Sequence, residues 1–229
     1  MDLRLYLVTS GTSERTVEVA AAVAAAGAGM VQVRAKQATE AELAELGLRV
    51  ARAVQAVRPQ TRVVIDDNVD VAASLMAAGA HVHGVHLGQD DTPVREARKR
   101  LGPRAIIGLT TGTLDLVLAA NEVADAVDYL GAGPFRLTPT KDSGRPPLGV
   151  SGYPPLVAAT RLPIVAIGDV TVADVEDLAG TGVAGVCMVR HLMAADDPGT
   201  TARAALAAFE RGRSTPSGGP AGRGLLPHE

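Results

Sequence analysis

Aromatic side chains make up only 2% of the 229 residues, and tryptophan is absent. A chain that is nonetheless 47% hydrophobic must build its interior from Ala, Val, Leu and Ile. Cysteine is nearly absent as well. Cys187 stands alone, which excludes an intrachain disulfide and fits a reducing compartment. Charge of either sign is hardly in excess: the formal net charge is −3, so nothing draws the molecule as a whole to nucleic acid or to a membrane surface. Any attraction for an anion has to be local. No apolar run approaches the roughly 18 residues of a membrane-spanning helix. Met1-Asp2-Leu3-Arg4 leads straight into a strand-like segment without the features of a signal peptide. The expectation is a cytoplasmic protein with neither nucleic acid nor membrane as partner. A homo-oligomer is compatible with the sequence, which does not encode its size.

What is present is alternation. Short β-branched runs recur at 3–8, 30–34, 62–66, 84–88, 105–109, 127–132, 163–167 and 185–189. Between and after them lie Ala- and Leu-rich stretches at 13–26, 39–57, 69–78, 93–101, 113–123, 151–160, 172–180 and 198–211. In the second of these, Leu43, Leu46, Val50, Val54 and Val57 recur at helical spacing. Thr39 and Glu42 form a capping-box pattern, Gly27 and Gly180 fall at helix ends, and Pro93 suits a first turn. Strict strand–helix alternation implies a parallel sheet with helices outside it. Eight such units in roughly 210 residues predict a single α/β domain, a (β/α)8 barrel of the TIM type, over 1–210. A doubly wound open sheet is the rival, because periodicity does not encode closure. The stretch 134–150 is proline-punctuated without helical period and reads as a functional loop after strand six. Residues 211–229 are rich in Gly, Pro and Ser and read as a disordered tail.

The run MVQVRAKQ (30–37) carries the first chemical signal. Side chains alternate across a strand, so Gln32, Arg34 and Lys36 project from one face. An amide and two cations aimed together need an object. In such barrels reactive groups collect at the C-terminal ends of strands. Polar residues gather there: Arg34 and Lys36, Asp66-Asp67-Asn68, Gln89-Asp90-Asp91, Thr110 to Thr113, then Thr138, Thr140 and Lys141, and finally Gly168-Asp169. Two carboxylate clusters on adjacent strand ends, with cations beside them, point to a hard metal that shares a phosphorylated ligand with Arg and Lys. Mg²⁺ is the expected ion.

Plainer readings compete at each position. Arg34 and Lys36 could pair with Asp66 and Asp67 merely to tie the rim. Asp-Asp-Asn before a helix is ordinary capping chemistry, and Thr113 reads as a cap. His81, His83 and His86 look like a zinc cluster, but no cysteine completes a tetrahedral set, so a structural or packing role is expected. Cys187 lies in an apolar strand with no base beside it and reads as a core residue.

As an ordered set, VQVRAK, the following DD, VHLGQDD, IGLTTGT, YLGAGPF…TPTK and VAIGD resemble the thiamine phosphate synthase family over residues 4–210. The resemblance implies that hydroxymethylpyrimidine pyrophosphate loses pyrophosphate, leaving a pyrimidine-methyl cation that the nitrogen of thiazole phosphate attacks. It also implies roles. Gln32, Arg34, Lys36, Thr110 and Lys141 would contact the pyrimidine pyrophosphate, with Arg34, Lys36 and Lys141 assisting its departure. Asp67 and Asp91 would bind Mg²⁺. Thr138 and Thr140 would hold the thiazole phosphate, closed in by Gly168 and by backbone at Val189 and Arg190. A thiazole tautomerase-like isomerase, or a non-catalytic paralogue that binds the same phosphorylated ligands, are the alternatives on the same barrel.

The chain departs from the family pattern in four places. Asp66 stands beside the pyrophosphate where Asn is usual, Asp169 replaces the second Gly of an IGG turn, and Arg190 replaces a Ser. The approach to strand four, AAGAHVHGVHLGQ, carries extra residues. An anion at 169 near a phosphate is unfavourable unless neutralised, so Arg190 and Asp169 are expected to pair.

Overall fold

The computed structural model describes residues 1–137, 144 and 146–214. Eight parallel strands close into a barrel in sequence order, with β1 hydrogen-bonded to both β2 and β8. Closure excludes the open-sheet rival. The first half runs β1 (Leu5–Val8), α1 (Glu14–Ala25), β2 (Met30–Val33), α2 (Glu40–Val57), β3 (Arg62–Asp66), α3 (Val69–Ala77), β4 (Gly84–Leu87) and α4 (Val94–Leu101). The second half runs β5 (Ile106–Thr111), α5 (Leu114–Asn121), β6 (Tyr129–Ala132), α6 (Tyr153–Ala158), β7 (Ile164–Ile167), α7 (Val172–Gly180), β8 (Gly185–Met188), α8 (Arg190–Met193) and α9 (Pro198–Ser214).

Alternation within the strands sorts two cores. In β1, Leu5 and Leu7 face the helices, while Tyr6 and Val8 join Met30, Val64, Tyr129, Val165 and Cys187 inside the barrel. With so few large aromatics in the sequence, Tyr6 and Tyr129 supply much of the interior volume. Helix α2 shows how the outer layer is held: Leu43, Leu46, Val50 and Val54 are buried, each contributing roughly 1.5–3 kcal/mol on transfer from water. Val57, expected on the same stripe, is 48% exposed because it is the last residue of the helix and the chain turns away at Arg58. The expected capping box is present, with Thr39 Oγ1 accepting from Glu42 N and Glu42 accepting from Thr39 N.

Three features were not legible beforehand. The short α8 follows β8 directly, and a 3₁₀ turn (Val150–Gly152) precedes α6. Helix α9 continues through Arg211, Gly212 and Arg213 to Ser214, past the expected domain end at 210. Gly212 allows this: a Cβ there would overlap the backbone of Glu176, so its absence lets α9 lie close against α7. Residues 215–229, expected to be a disordered tail, lie outside the described residues.

Candidate active site

The strand ends expected to carry chemistry converge on one pocket at the C-terminal face of the barrel. Its lining includes Gln32, Arg34, Asp66, Thr110, Gly168, Val189 and Arg190, and it spans about 1130 Å³ with its open mouth included. Lys36 meets the pocket through Asp66 and also bonds Asp67, while Asp67 and Asp91 follow the ends of β3 and β4. Thr138, Thr140 and Lys141 lie outside the described residues.

Parallel register explains the convergence. Gln32 in β2 is flanked by Val8 and Val64, and Asp66 in β3 by His86, so inward side chains of neighbouring strands share a level. Gln32 is only 4% exposed and donates from Nε2 to Tyr6 Oη at 2.8 Å. One pleat higher, just beyond β2, Arg34 Nε lies 3.4 Å from Asp66 Oδ2. Lys36 Nζ is 3.6 Å from the same oxygen and also bonds Asp67 Oδ2. The rim ion pairs of the plainer reading therefore exist, within the pocket and at its edge. Capping falls to the third residue of the triplet: Asn68 Oδ1 accepts from Val71 N at 2.9 Å. That leaves Asp66 and Asp67 directed to the site. Asp67 adopts a left-handed backbone (φ 58°), tolerable for Asp because its short polar side chain bonds locally.

Asp67 and Asp91 act on each other's protonation in opposite directions. Burial pushes Asp91 above the usual carboxylate range, as does the Asp67 carboxylate facing it. Burial acts the same way on Asp67 but is outweighed by hydrogen bonds from Lys36 and Asp91, so Asp67 stays low. A cation placed between them would relieve the repulsion of the two carboxylates. Among the described residues no group of three or more His, Cys, Asp or Glu could hold a metal. A pair with cations alongside is the donor set that suits Mg²⁺, which keeps water and phosphate oxygens for its remaining positions. The residues present fit that ion.

On the opposite side of the pocket, Gly168 directly follows β7 with φ 116°. A Cβ at Gly168 would lie 2.6 Å from Phe135 N and 2.7 Å from Pro134 Cα, so glycine is required for space as well as conformation. Asp169 follows at φ 56°. Its carboxylate meets Arg190 at 2.6 Å, the pairing expected from the sequence. Arg136 donates to the Asp169 carbonyl at 2.9 Å and binds Asp174 through both of its terminal nitrogens. The two departures at 169 and 190 thus compensate each other in charge.

Several residues of the site were missed. Tyr6 and His86 line its floor and the buried Tyr129 bonds both from behind, with Tyr6 Oη 2.7 Å from Tyr129 Oη and His86 Nδ1 3.0 Å from Tyr129 Oη. Their rarity was the available signal: two of the three tyrosines fall at inward positions of strands. The three histidines do not act together. His81 and His83 pack edge to face at the entry to β4, where His81 bonds Thr61 O and His83 Nδ1 accepts from Val63 N. His86 instead lines the pocket, bonded to Tyr129 Oη and Thr110 Oγ1, while all three remain outside any metal-holding group among the described residues. Cys187 is buried, its thiol pushed up by burial and then by the charge of Asp66, as a core residue should be.

A family model described as thiamine monophosphate synthase matches residues 5–192. Among curated relatives, the thiamine-phosphate synthase of Corynebacterium jeikeium is 59% identical over 209 residues, covering 91% of this chain and 95% of its own. That of Corynebacterium efficiens is 56% identical over 213 residues, covering 93% and 97%. Among solved structures, thiamine phosphate pyrophosphorylase from Pyrococcus furiosus matches with a TM-score of 0.78 at 27% identity, over 92% of this chain and 97% of that one. Among the described residues, no helix is long and apolar enough to cross a membrane.

Proposed function

Since the chain belongs to the thiamine monophosphate synthase family, we propose that it joins hydroxymethylpyrimidine pyrophosphate to thiazole phosphate, releasing pyrophosphate and giving thiamine phosphate. The observation that carries this reading is the cluster of Arg34, Lys36, Asp66, Asp67 and Asp91 on three adjacent strand ends beside one pocket.

Negative charge grows on the leaving pyrophosphate as the carbon–oxygen bond breaks. Preorganised cations aimed at that charge are the strongest source of rate acceleration open to such a site. Arg34 presents a planar fork and Lys36 a point charge, both held in place by Asp66. Asp67 and Asp91 would hold Mg²⁺, which when bound neutralises the same phosphate oxygens. Gln32 sits deeper, where the neutral pyrimidine ring would lie, and the apolar walls from Val165 and Ile167 exclude water from the cation left behind. Thr110 lines the same pocket as a further substrate contact. No general base is needed, because the thiazole nitrogen already carries its lone pair. Gly168, Val189 and Arg190 line the other wall, proposed for the thiazole phosphate together with Thr138 and Thr140; Lys141 is assigned to the pyrophosphate.

The test is direct. With both substrates and Mg²⁺, the purified protein should form thiamine phosphate and pyrophosphate in equal amounts. Binding of both without product would replace this reading by the non-catalytic alternative.

A further inference from the structure

The floor of the pocket carries an unbroken chain of hydrogen bonds. It runs from Gln32 Nε2 to Tyr6 Oη (2.8 Å), to Tyr129 Oη (2.7 Å), to His86 Nδ1 (3.0 Å), and from His86 Nε2 to Thr110 Oγ1 (2.9 Å). The chain crosses from β2 to β5 by way of β1, β6 and β4, and its two ends both face the ligand space.

The sequence is arranged to permit it. His86, Gly108 and Tyr129 lie at one level on β4, β5 and β6. A side chain at the middle position would stand between the other two: a Cβ at Gly108 would overlap both Tyr129 and His86 Nδ1. Gly108 has no positive φ, so its glycine is explained by this space alone. A Cβ at Gly131 would in turn crowd the far edge of the His86 ring at 3.1 Å.

Proton counting gives the chain a direction. The Gln32 amide donates to Tyr6, which has a single proton and a second polar neighbour in Tyr129. If Tyr129 donated to Tyr6, the buried Tyr6 hydroxyl would be left without an acceptor, at roughly 1–3 kcal/mol. Tyr6 therefore donates to Tyr129, and Tyr129 to His86 Nδ1. His86 carries its proton on Nε2 and donates to Thr110. The ends then differ: Gln32 Oε1 is left to accept from a ligand, and the Thr110 hydroxyl is left to donate.

We propose that Tyr6, Tyr129 and His86 are positioning residues that fix this polarity, so that the pocket selects a ring whose exocyclic group, not a ring nitrogen, offers the N–H donor to Gln32. The inference rests on the proposed pyrimidine substrate for its ligand class. Reversal of the chain would demand a flipped Gln32 amide and would present a donor where the acceptor stands.

Two measurements decide it. Nitrogen-15 spectra of histidine-labelled wild-type protein should show His86 protonated on Nε2 only; protonation on Nδ1 would overturn the proposal whatever the enzyme's activity. Calorimetry should then compare the aminopyrimidine pyrophosphate with its oxo counterpart. Wild type should prefer the amino ligand at least about tenfold, and Tyr129→Phe should reduce that preference to about threefold or less, because Tyr6 loses the acceptor that fixes its direction and the Gln32 amide can then flip. Tyr6→Phe should behave alike and serves if Tyr129→Phe fails to fold. Loss of affinity for both ligands equally, with the ratio kept, would leave only a packing role and refute the relay. A wild type that binds with the expected ratio but forms no product would refute the synthase reading and leave the relay standing.

Discussion

Replacing Gly108 by alanine adds one methyl group at the most crowded point of the barrel interior. Its Cβ would fall inside contact distance of Tyr129 Cζ, Tyr129 Oη and His86 Nδ1. Neither neighbour is the loose end of a flexible chain: Tyr129 is fully buried and His86 nearly so. Overpacking a close-packed core costs roughly 1–3 kcal/mol. Separation of the Tyr129–His86 bond leaves buried polar groups unsatisfied for about 1–3 kcal/mol more. Together these come to about 2–6 kcal/mol, or a fall in melting temperature of roughly 5–20 °C for a domain of this size. Thermal and urea unfolding measure it. Gly180→Ala is the control, since a Cβ there meets only Gly212 O at 3.8 Å. That variant should melt within about 2 °C of wild type. If Gly108→Ala did the same, the tight packing inferred for the barrel floor would be wrong.

Other outcomes follow from the same structure. Burial, aided by charge on His81 and Arg62, depresses His83 from 6.5 to about 4. The unfolded chain then takes up a proton that the folded chain refuses, so stability is intact above pH 6.5 and falls as pH drops toward 4. Discounted for partial exposure, the loss is about 1–2 kcal/mol. Urea midpoints at pH 7 and 4.5 should differ more for wild type than for His83→Asn, and equal differences would exclude His83 as the cause. Asp169→Gly relieves a left-handed backbone but removes the partner of Arg190, so stability should change by less than about 1 kcal/mol. Thiazole phosphate affinity should not rise; a large rise would contradict charge compensation at this pair. Arg34→Ala should lower turnover about 100-fold or more while thiazole phosphate binding changes little, and equal losses in both would contradict its assignment to the pyrophosphate.

Fold and site were unequally legible in the sequence. The eight strands were marked by β-branched runs and the helices by period and caps, so element order followed from local signals. Closure did not: it depends on β1 meeting β8, a contact between distant segments that no local pattern encodes. The polar strand ends were legible because polar groups repeating on one face of an otherwise apolar strand stand out, as in Gln32, Arg34 and Lys36. Tyr6 and Tyr129 were hidden because each reads alone as an ordinary strand residue, and His86 was grouped with the wrong partners, His81 and His83. The partnership of Tyr6, Tyr129 and His86 depends on register across β4, β5 and β6 and on a glycine between them. The extent of α9 was hidden for a related reason, since the close approach of Gly212 to α7 rescues a helix end that composition reads as loop.

The cations just beyond β2 and the carboxylates just beyond β3 and β4 are proposed to grip a magnesium-bound pyrophosphate together. Calorimetric titration of pyrophosphate into the protein, with and without Mg²⁺, addresses this most directly. Binding should tighten at least about tenfold with the metal, a gain lost in the Asp67→Asn, Asp91→Asn double variant. Equal affinity with and without Mg²⁺, or a gain undiminished in that variant, would contradict it.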